Sequence, residues 1–171
     1  MLLSQAISLI QHDVPKEKIV CADLGCGDGL FTNALSQLLP QESLIYAVDK
    51  SKRALKNVTV KEGIQLEKLA LNFVEDNLPL KNLSAILMAN SFHFIKDKNA
   101  FINKAFTWLN KDGYLIMVEY DIDRSSLWVP YPISYNNLKK FFANYNYTVE
   151  KLSETPSKYR GTIYSAVIQK Q

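Results

Sequence analysis

The chain has 171 residues, 47% hydrophobic and 22% charged, and its 20 basic and 17 acidic side chains leave a net charge of +3. That length suits one domain with a sizeable core, and the composition is that of a globular chain rather than a disordered one. The lysines are spread along the chain, which argues against a nucleic-acid footprint, and no apolar run approaches the ~20 residues that span a membrane.

In chain order, Leu2, Leu3, Ala6, Leu9 and Ile10 recur at helical spacing, with Pro15 closing the helix. This N-terminal stretch has no basic region and no small-residue cleavage site, so it reads as a helix and not a signal peptide. Residues 19–24 form an apolar run, a strand buried on both faces. A helix follows with Leu30, Phe31, Ala34, Leu35, Leu38 and Leu39 on one side and Pro40 as its stop. Residues 44–48 are the second strand, and Ser51 caps a short helix through Leu55. Residues 64–71 are the third strand and 83–89 the fourth. Asp97 caps a helix with Phe101, Ile102, Ala105, Phe106 and Leu109 on its apolar face; Gly113 turns the chain into a fifth strand at 114–120. Residues 121–133 are a polar, then aromatic, Pro-punctuated loop. Ser134 caps a last helix carrying Leu138, Phe141, Phe142 and Tyr145. Two strands, near 148–152 and 162–168, follow without an intervening helix and pair antiparallel. The order predicts a parallel α/β sheet with an antiparallel strand near its end, without repeats or a second domain.

Residues 20–30 read VCADLGCGDGL: a strand ending on an acidic residue, then Gly25, Gly27 and Gly29, then a helix. Such a handover lets backbone amides approach a ligand closely. The spacing is not the dinucleotide G-x-G-x-x-G, whose last glycine would fall on Leu30. Cys21 and Cys26 straddle the junction and have neither metal-ligand spacing nor disulfide geometry. They read as buried free thiols, which fits a reducing, cytoplasmic setting.

With Asp23 ahead of the glycines, this run resembles motif I of the class I S-adenosylmethionine-dependent methyltransferases, and the element order resembles that fold over nearly the whole chain. The resemblance implies a Rossmann-like three-layer sandwich, with a seven-stranded, mostly parallel sheet and one antiparallel strand. It implies S-adenosylmethionine as cofactor, S-adenosylhomocysteine as product and no metal. By the same resemblance the loop Gly25, Cys26, Gly27 and Gly29 passes under the methionine part of the cofactor, and Asp23 addresses its amino group. Asp49, followed by Lys50, holds the ribose hydroxyls. Asn72 and Phe73, with Asn72 where the family more often has Asp, hold the adenine. Asn90-Ser91-Phe92-His93 occupies motif IV, so Asn90 meets the cofactor and His93 lies near the transferred methyl.

Neither the N-P-P-Y-like motif of amino methyltransferases nor the Pro-Cys pair of cytosine-carbon enzymes is present. The acceptor implied is a small molecule, not nucleic acid and not a membrane. His93 is the candidate base, against a packing role. Asp121, Trp128, Tyr131 and Arg160 are acceptor-side candidates, and Glu119, Asp121 and Asp123 share one side if extended. Trp128, Tyr131 and Tyr135 are candidates for an aromatic wall. With no inserted cap domain, the pocket stays open in a monomer or is completed in a homodimer. Two other readings are a non-catalytic S-adenosylmethionine-binding partner subunit and a nicotinamide-dependent oxidoreductase; the glycine spacing opposes the second.

Overall fold

The computed structural model describes residues 1–13, 15–159 and 161–171. Its centre is a seven-stranded sheet: β1 Val20–Leu24, β2 Leu44–Val48, β3 Gln65–Leu69, β4 Leu83–Ala89, β5 Leu109–Tyr120, β6 Tyr147–Pro156 and β7 Thr162–Lys170. The strand order is β3-β2-β1-β4-β5-β7-β6. β7 pairs antiparallel with both β5 and β6, so β7 alone runs against the other strands.

Successive residues of the central strands point to opposite faces. Ala85 and Leu87 of β4 face one side with Ile116 and Val118 of β5; helices α1 (Leu3–Ile10) and α2 (Leu30–Leu38) close that layer. Ile86, Met88, Leu115 and Met117 face the other side under α4 (Lys98–Phe106) and α5 (Tyr135–Ala143). The short α3 (Lys52–Leu55) sits on a smaller cluster of Cys26, Ala47, Leu55 and Val58. No helix of the described residues is long and apolar enough to cross a membrane.

The expected elements are all present; the differences lie at their ends. α4 stops at Phe106, short of Leu109, because Thr107 and Trp108 turn their amides back onto Lys104 and Ala105 carbonyls. β5 starts at Leu109, five residues before the expected start at Tyr114. Within it, β4 advances from Leu83 to Ala85 while β5 advances from Leu109 to Tyr114, so residues 110–113 bulge out. The expected turn at Gly113 is this bulge, where Asp112 N–H donates to Asn110 Oδ1. β6 runs from Tyr147 to Pro156, longer than expected, with its own shift of register between Lys151 and Ser153.

Strand order reverses between β1 and β4, so the loops after these two strands diverge and leave a crevice at the carboxyl end of the sheet.

Candidate functional site

The glycine loop is fixed from β2. Val48 O accepts from the amides of Gly25 (2.8 Å) and Cys26 (3.1 Å), and Asp49 Oδ2 accepts from Gly27 N–H at 2.9 Å. Asp49 Oδ1 takes Ser51 N–H at 2.8 Å, so both oxygens of the carboxylate are oriented by backbone while lone pairs remain for a ligand.

The three glycines are there for different reasons. Gly25 has φ +78°, and a Cβ on it would lie 2.6 Å from Ser91 Cβ and 3.1 Å from the Phe73 ring. Gly29 has φ +87°, and its Cβ would meet the Val58 backbone at 2.8 Å. A Cβ on Gly27, at φ +54°, would meet nothing within 4 Å. Of the three, only Gly25 lines the cavity; Gly29 is needed for packing α2 against the segment after α3.

That cavity, about 380 Å³, lies between the ends of β1, β2 and β4 and is walled by Gly25, Asp49, Lys50, Asn72, Phe73 and Asn90. Val74, Glu75, Ser91 and Phe94 complete it; Ser91 and Phe94 belong to the motif IV stretch, while Val74 and Glu75 are not expected from sequence. Phe73 packs against Phe101 at 5.7 Å between ring centres. Asn72 Oδ1 accepts from Val74 N–H at 3.0 Å, and Asn72 N–H donates to Asp76 Oδ2 at 2.7 Å, so the side chain shapes the turn that carries the cavity wall. Cys26 does not line the cavity: its thiol is buried with Ala47, Leu55 and Val58, and burial pushes it up, with the Asp23 and Asp49 charges adding to that.

Asp23 is 1% exposed at the end of β1. Thr32 Oγ1 donates to its Oδ2 at 2.6 Å, and its Oδ1 has no partner among the described residues. Burial pushes this carboxyl up to about 7; the Thr32 hydroxyl opposes the rise and the charge of Asp49 adds to it. The other buried oxygen without a described partner is Oδ1 of Asn90. A buried polar oxygen left unpaired costs free energy. Asn90 lines the cavity, while Asp23, on the adjacent strand β1, is buried and is not one of its walls; an unpaired oxygen on each fits a ligand that brings donors to this end of the sheet. Asp23 suits an ammonium group, and the oriented Asp49 carboxylate suits ribose hydroxyls, so the residues fit S-adenosylmethionine.

Asn90 holds a left-handed backbone (φ 54°) and donates its N–H to Val118 O at 2.8 Å. It lines three cavities at once. The second is about 340 Å³, walled by Asn90, His93, Phe94, Tyr120, Trp128, Val129 and Tyr159. The third, about 270 Å³, runs between the N-terminus, α2 and the β6–β7 loop.

His93 sits on a 3-10 turn, Phe92–Phe94, directly after β4. Its Nδ1 lies 2.7 Å from Glu119 Oε2, and its backbone N–H donates to Glu119 Oε1 at 3.1 Å. Both side chains are buried. Glu119 was expected to share a face with Asp121 and Asp123; the structure instead places it under His93. The legible signal was a lone acid inside the apolar run of β5, the strand beside β4.

Asp121 and Asp123 serve α5. Asp121 Oδ1 accepts from Tyr135 N–H (2.9 Å), and Asp123 Oδ1 from Ser134 N–H (3.1 Å) and Asn137 Nδ2 (2.8 Å). The Ser134 and Asn137 bonds hold the Asp123 carboxyl below the ordinary range. The expected aromatic wall separates: Trp128 faces the His93 cavity, Tyr131 a different one beside Lys96 and Lys104, and Tyr135 packs on Tyr164. Tyr131 instead pins its loop, donating N–H to His93 O at 3.0 Å while Lys98 Nζ donates to its carbonyl at 2.8 Å. Burial brings Lys98 down to about 8, against the pull of Glu119. Tyr159 closes the far side by donating its hydroxyl to Ser126 Oγ at 3.1 Å. Arg160 lies outside the described residues. Among those residues no group of three or more His, Cys, Asp or Glu is placed to hold a metal ion.

Residues 22–117 match the family described as methyltransferase domain. The chain belongs to that family. Its enzyme class is therefore S-adenosylmethionine-dependent methyl transfer. No curated protein matches the sequence at a significant level.

Solved structures share the fold at low identity. An S-adenosylmethionine-dependent methyltransferase from Mesorhizobium loti superposes with a TM-score of 0.70 at 12% identity, covering 97% of this chain and 96% of its own. Magnesium protoporphyrin IX methyltransferase from Synechocystis PCC 6803, with bound S-adenosylmethionine, gives 0.68 at 12% identity over 99% of this chain and 76% of its own. The plantazolicin methyltransferase, in complex with S-adenosylhomocysteine, gives 0.69 at 12% identity over 99% and 83%.

Proposed function

We propose that this methyltransferase domain transfers a methyl group to a small-molecule acceptor by in-line displacement, with His93 as base. The observation that carries the reading is the position of Asn90, at which a cavity fitting the cofactor and one holding His93 meet. When bound, S-adenosylmethionine supplies an activated methyl group on a positively charged sulfur. The chain's own task is to bind, align and exclude water. Alignment of this kind is worth about 7–11 kcal/mol of barrier.

Each residue then has a part. Asp23 takes the ammonium, Asp49 the ribose, and Lys50, Asn72 and Phe73 wall the cavity around the rest. The tight contact of Gly25 with Ser91 and Phe73 keeps the loop against the crevice floor. Glu119 fixes the His93 ring through Nδ1, which leaves Nε2 as the nitrogen that accepts a proton from the acceptor. The size of the His93 cavity supports a small acceptor, and structural neighbours named for magnesium protoporphyrin IX and plantazolicin are compatible with one.

The test is turnover. Purified protein with S-adenosylmethionine and a panel of small acceptors releases S-adenosylhomocysteine above the acceptor-free rate. His93→Ala loses about 10²–10⁴ of that rate while its calorimetric affinity for S-adenosylhomocysteine stays within a few-fold. A variant that turns over normally removes His93 from the mechanism.

A further inference from the structure

Seven residues wall the His93 cavity, and five carry aromatic rings: His93, Phe94, Tyr120, Trp128 and Tyr159. Of its walls, Trp128 is 70% and Phe94 57% exposed, and Leu127, next to Trp128 in the chain, is 88% exposed. Apolar side chains gathered around a cavity entrance mark a surface that takes an apolar ligand. Flat rings on several walls favour a flat ring between them, in stacked or edge-on contact.

We infer that the acceptor is an apolar aromatic molecule whose phenolic hydroxyl receives the methyl group. This rests on the reading above and adds the class of acceptor. The chemistry of the dyad narrows the choice. A neutral amine attacks through its own lone pair and needs no base. A carboxylate is already ionised and needs none either. An aliphatic alcohol is a far weaker acid than a phenol and gains less from a single imidazole base, and its saturated carbon frame does not stack on flat walls. A phenol, with a pKa of about 10 like the tyrosine side chain, is within reach of an imidazole base that a carboxylate orients through Nδ1.

The structure supplies that arrangement at 2.7 Å between Nδ1 and Oε2, and His93 is itself one wall of the aromatic cavity. Asn90, whose Oδ1 has no described partner, is placed at the junction to take a hydrogen bond from the acceptor or a neighbouring donor on its ring. The step balances. The phenolic oxygen gains the methyl as the methyl–sulfur bond breaks, the proton passes to His93 Nε2, and the sulfur leaves as a neutral thioether.

The experiment uses 4-ethylphenol, its saturated counterpart 4-ethylcyclohexanol, benzylamine and benzoate as probes. Binding is read on the S-adenosylhomocysteine-loaded protein by calorimetry and by quenching of tryptophan fluorescence. Turnover is read as S-adenosylhomocysteine release. The phenol binds and is methylated, and the other three are not. Trp128→Ala raises KM for the phenol about tenfold, more than it lowers kcat. His93→Gln lowers kcat for 4-ethylphenol by about 10²-fold or more, yet only a few-fold for 4-nitrophenol, a far stronger acid that is ionised in mildly alkaline buffer. Benzylamine or benzoate turning over faster than the phenol overturns the assignment. So does an equal loss of rate for both phenols in His93→Gln, or S-adenosylmethionine binding with no phenol bound or methylated. A protein that binds no S-adenosylmethionine overturns the underlying reading as well, and the calorimetric arm separates the two failures.

Discussion

Asp23 carries opposite signs in the free and liganded protein. Its carboxyl is held near 7 against an ordinary value of 3.8, chiefly by burial. The folded state therefore holds a proton that the unfolded chain has released between those values. The stability from this group is fully present below the ordinary pKa and is lost as pH rises through 7, a change of about 4 kcal/mol at full titration. The unliganded protein should show a melting temperature that falls from about pH 4 to 8, with Asp23→Asn flattening the slope. An ammonium group at Oδ1 favours the ionised carboxylate, so affinity for S-adenosylhomocysteine should rise over the same range and stay flat in Asp23→Asn. A wild-type affinity independent of pH would remove Asp23 from the ligand.

The glycines separate packing from open space by the same reasoning. Gly25→Ala places its methyl 2.6 Å from Ser91 Cβ, on a backbone at φ +78°. It should cost about 1–3 kcal/mol from overpacking, added to the left-handed strain, and distort the cavity floor. Gly27→Ala meets only the strain, about 1 kcal/mol. Denaturant midpoints for the two variants test the ranking; equal losses would show that the loop relaxes as a unit. The sequence showed that these glycines matter but not how, because a side chain's room depends on Ser91 and Val58, residues distant along the chain.

At the scale of elements, most of the fold was legible because periodicity and caps are local. Ser51, Asp97 and Ser134 each accept the amide three residues on, as residues of their type do at helix starts. The misjudged element was β5. Apolar Leu109 continued the helical pattern of α4, yet it pairs with Leu83 across the sheet. A register shift is a pairing property, and one strand's sequence does not contain it. The loop 121–133 was legible as a loop, while its attachment was not, since Lys98 and the His93 carbonyl reach it from other elements. Lys98 donates to the carbonyls of Ile95 and Tyr131, both at 2.8 Å. Lys98→Met removes both bonds and the ammonium that lies 5.0 Å from the centre of the Phe92 ring. It should cost about 1–3 kcal/mol and raise amide exchange at residues 129–133. Exchange confined to the chain termini would show that Tyr131 N–H on His93 O holds the loop unaided.

Over the whole molecule, the site exists because one sheet brings distant residues to one end. β1 and β2 supply Asp23, the glycine loop and Asp49; β4 and β5 supply Asn90, His93 and Glu119. The group from β1 and β2 and the group from β4 and β5 lie far apart in sequence, and the antiparallel β7 locks β5 from the far side. A ligand in the crevice touches loops from both halves, so its binding energy should count toward global stability rather than local order. At a hundredfold excess over Kd, a single-site ligand adds about 2.7 kcal/mol. For a domain of this length each kcal/mol moves the melting temperature by about 2–4 °C, so S-adenosylhomocysteine should raise it by about 5–11 °C in one cooperative transition. Two resolved transitions, of which only one moves with ligand, would mean that the β6–β7 hairpin and the glycine-loop half unfold separately, and that the crevice does not couple them.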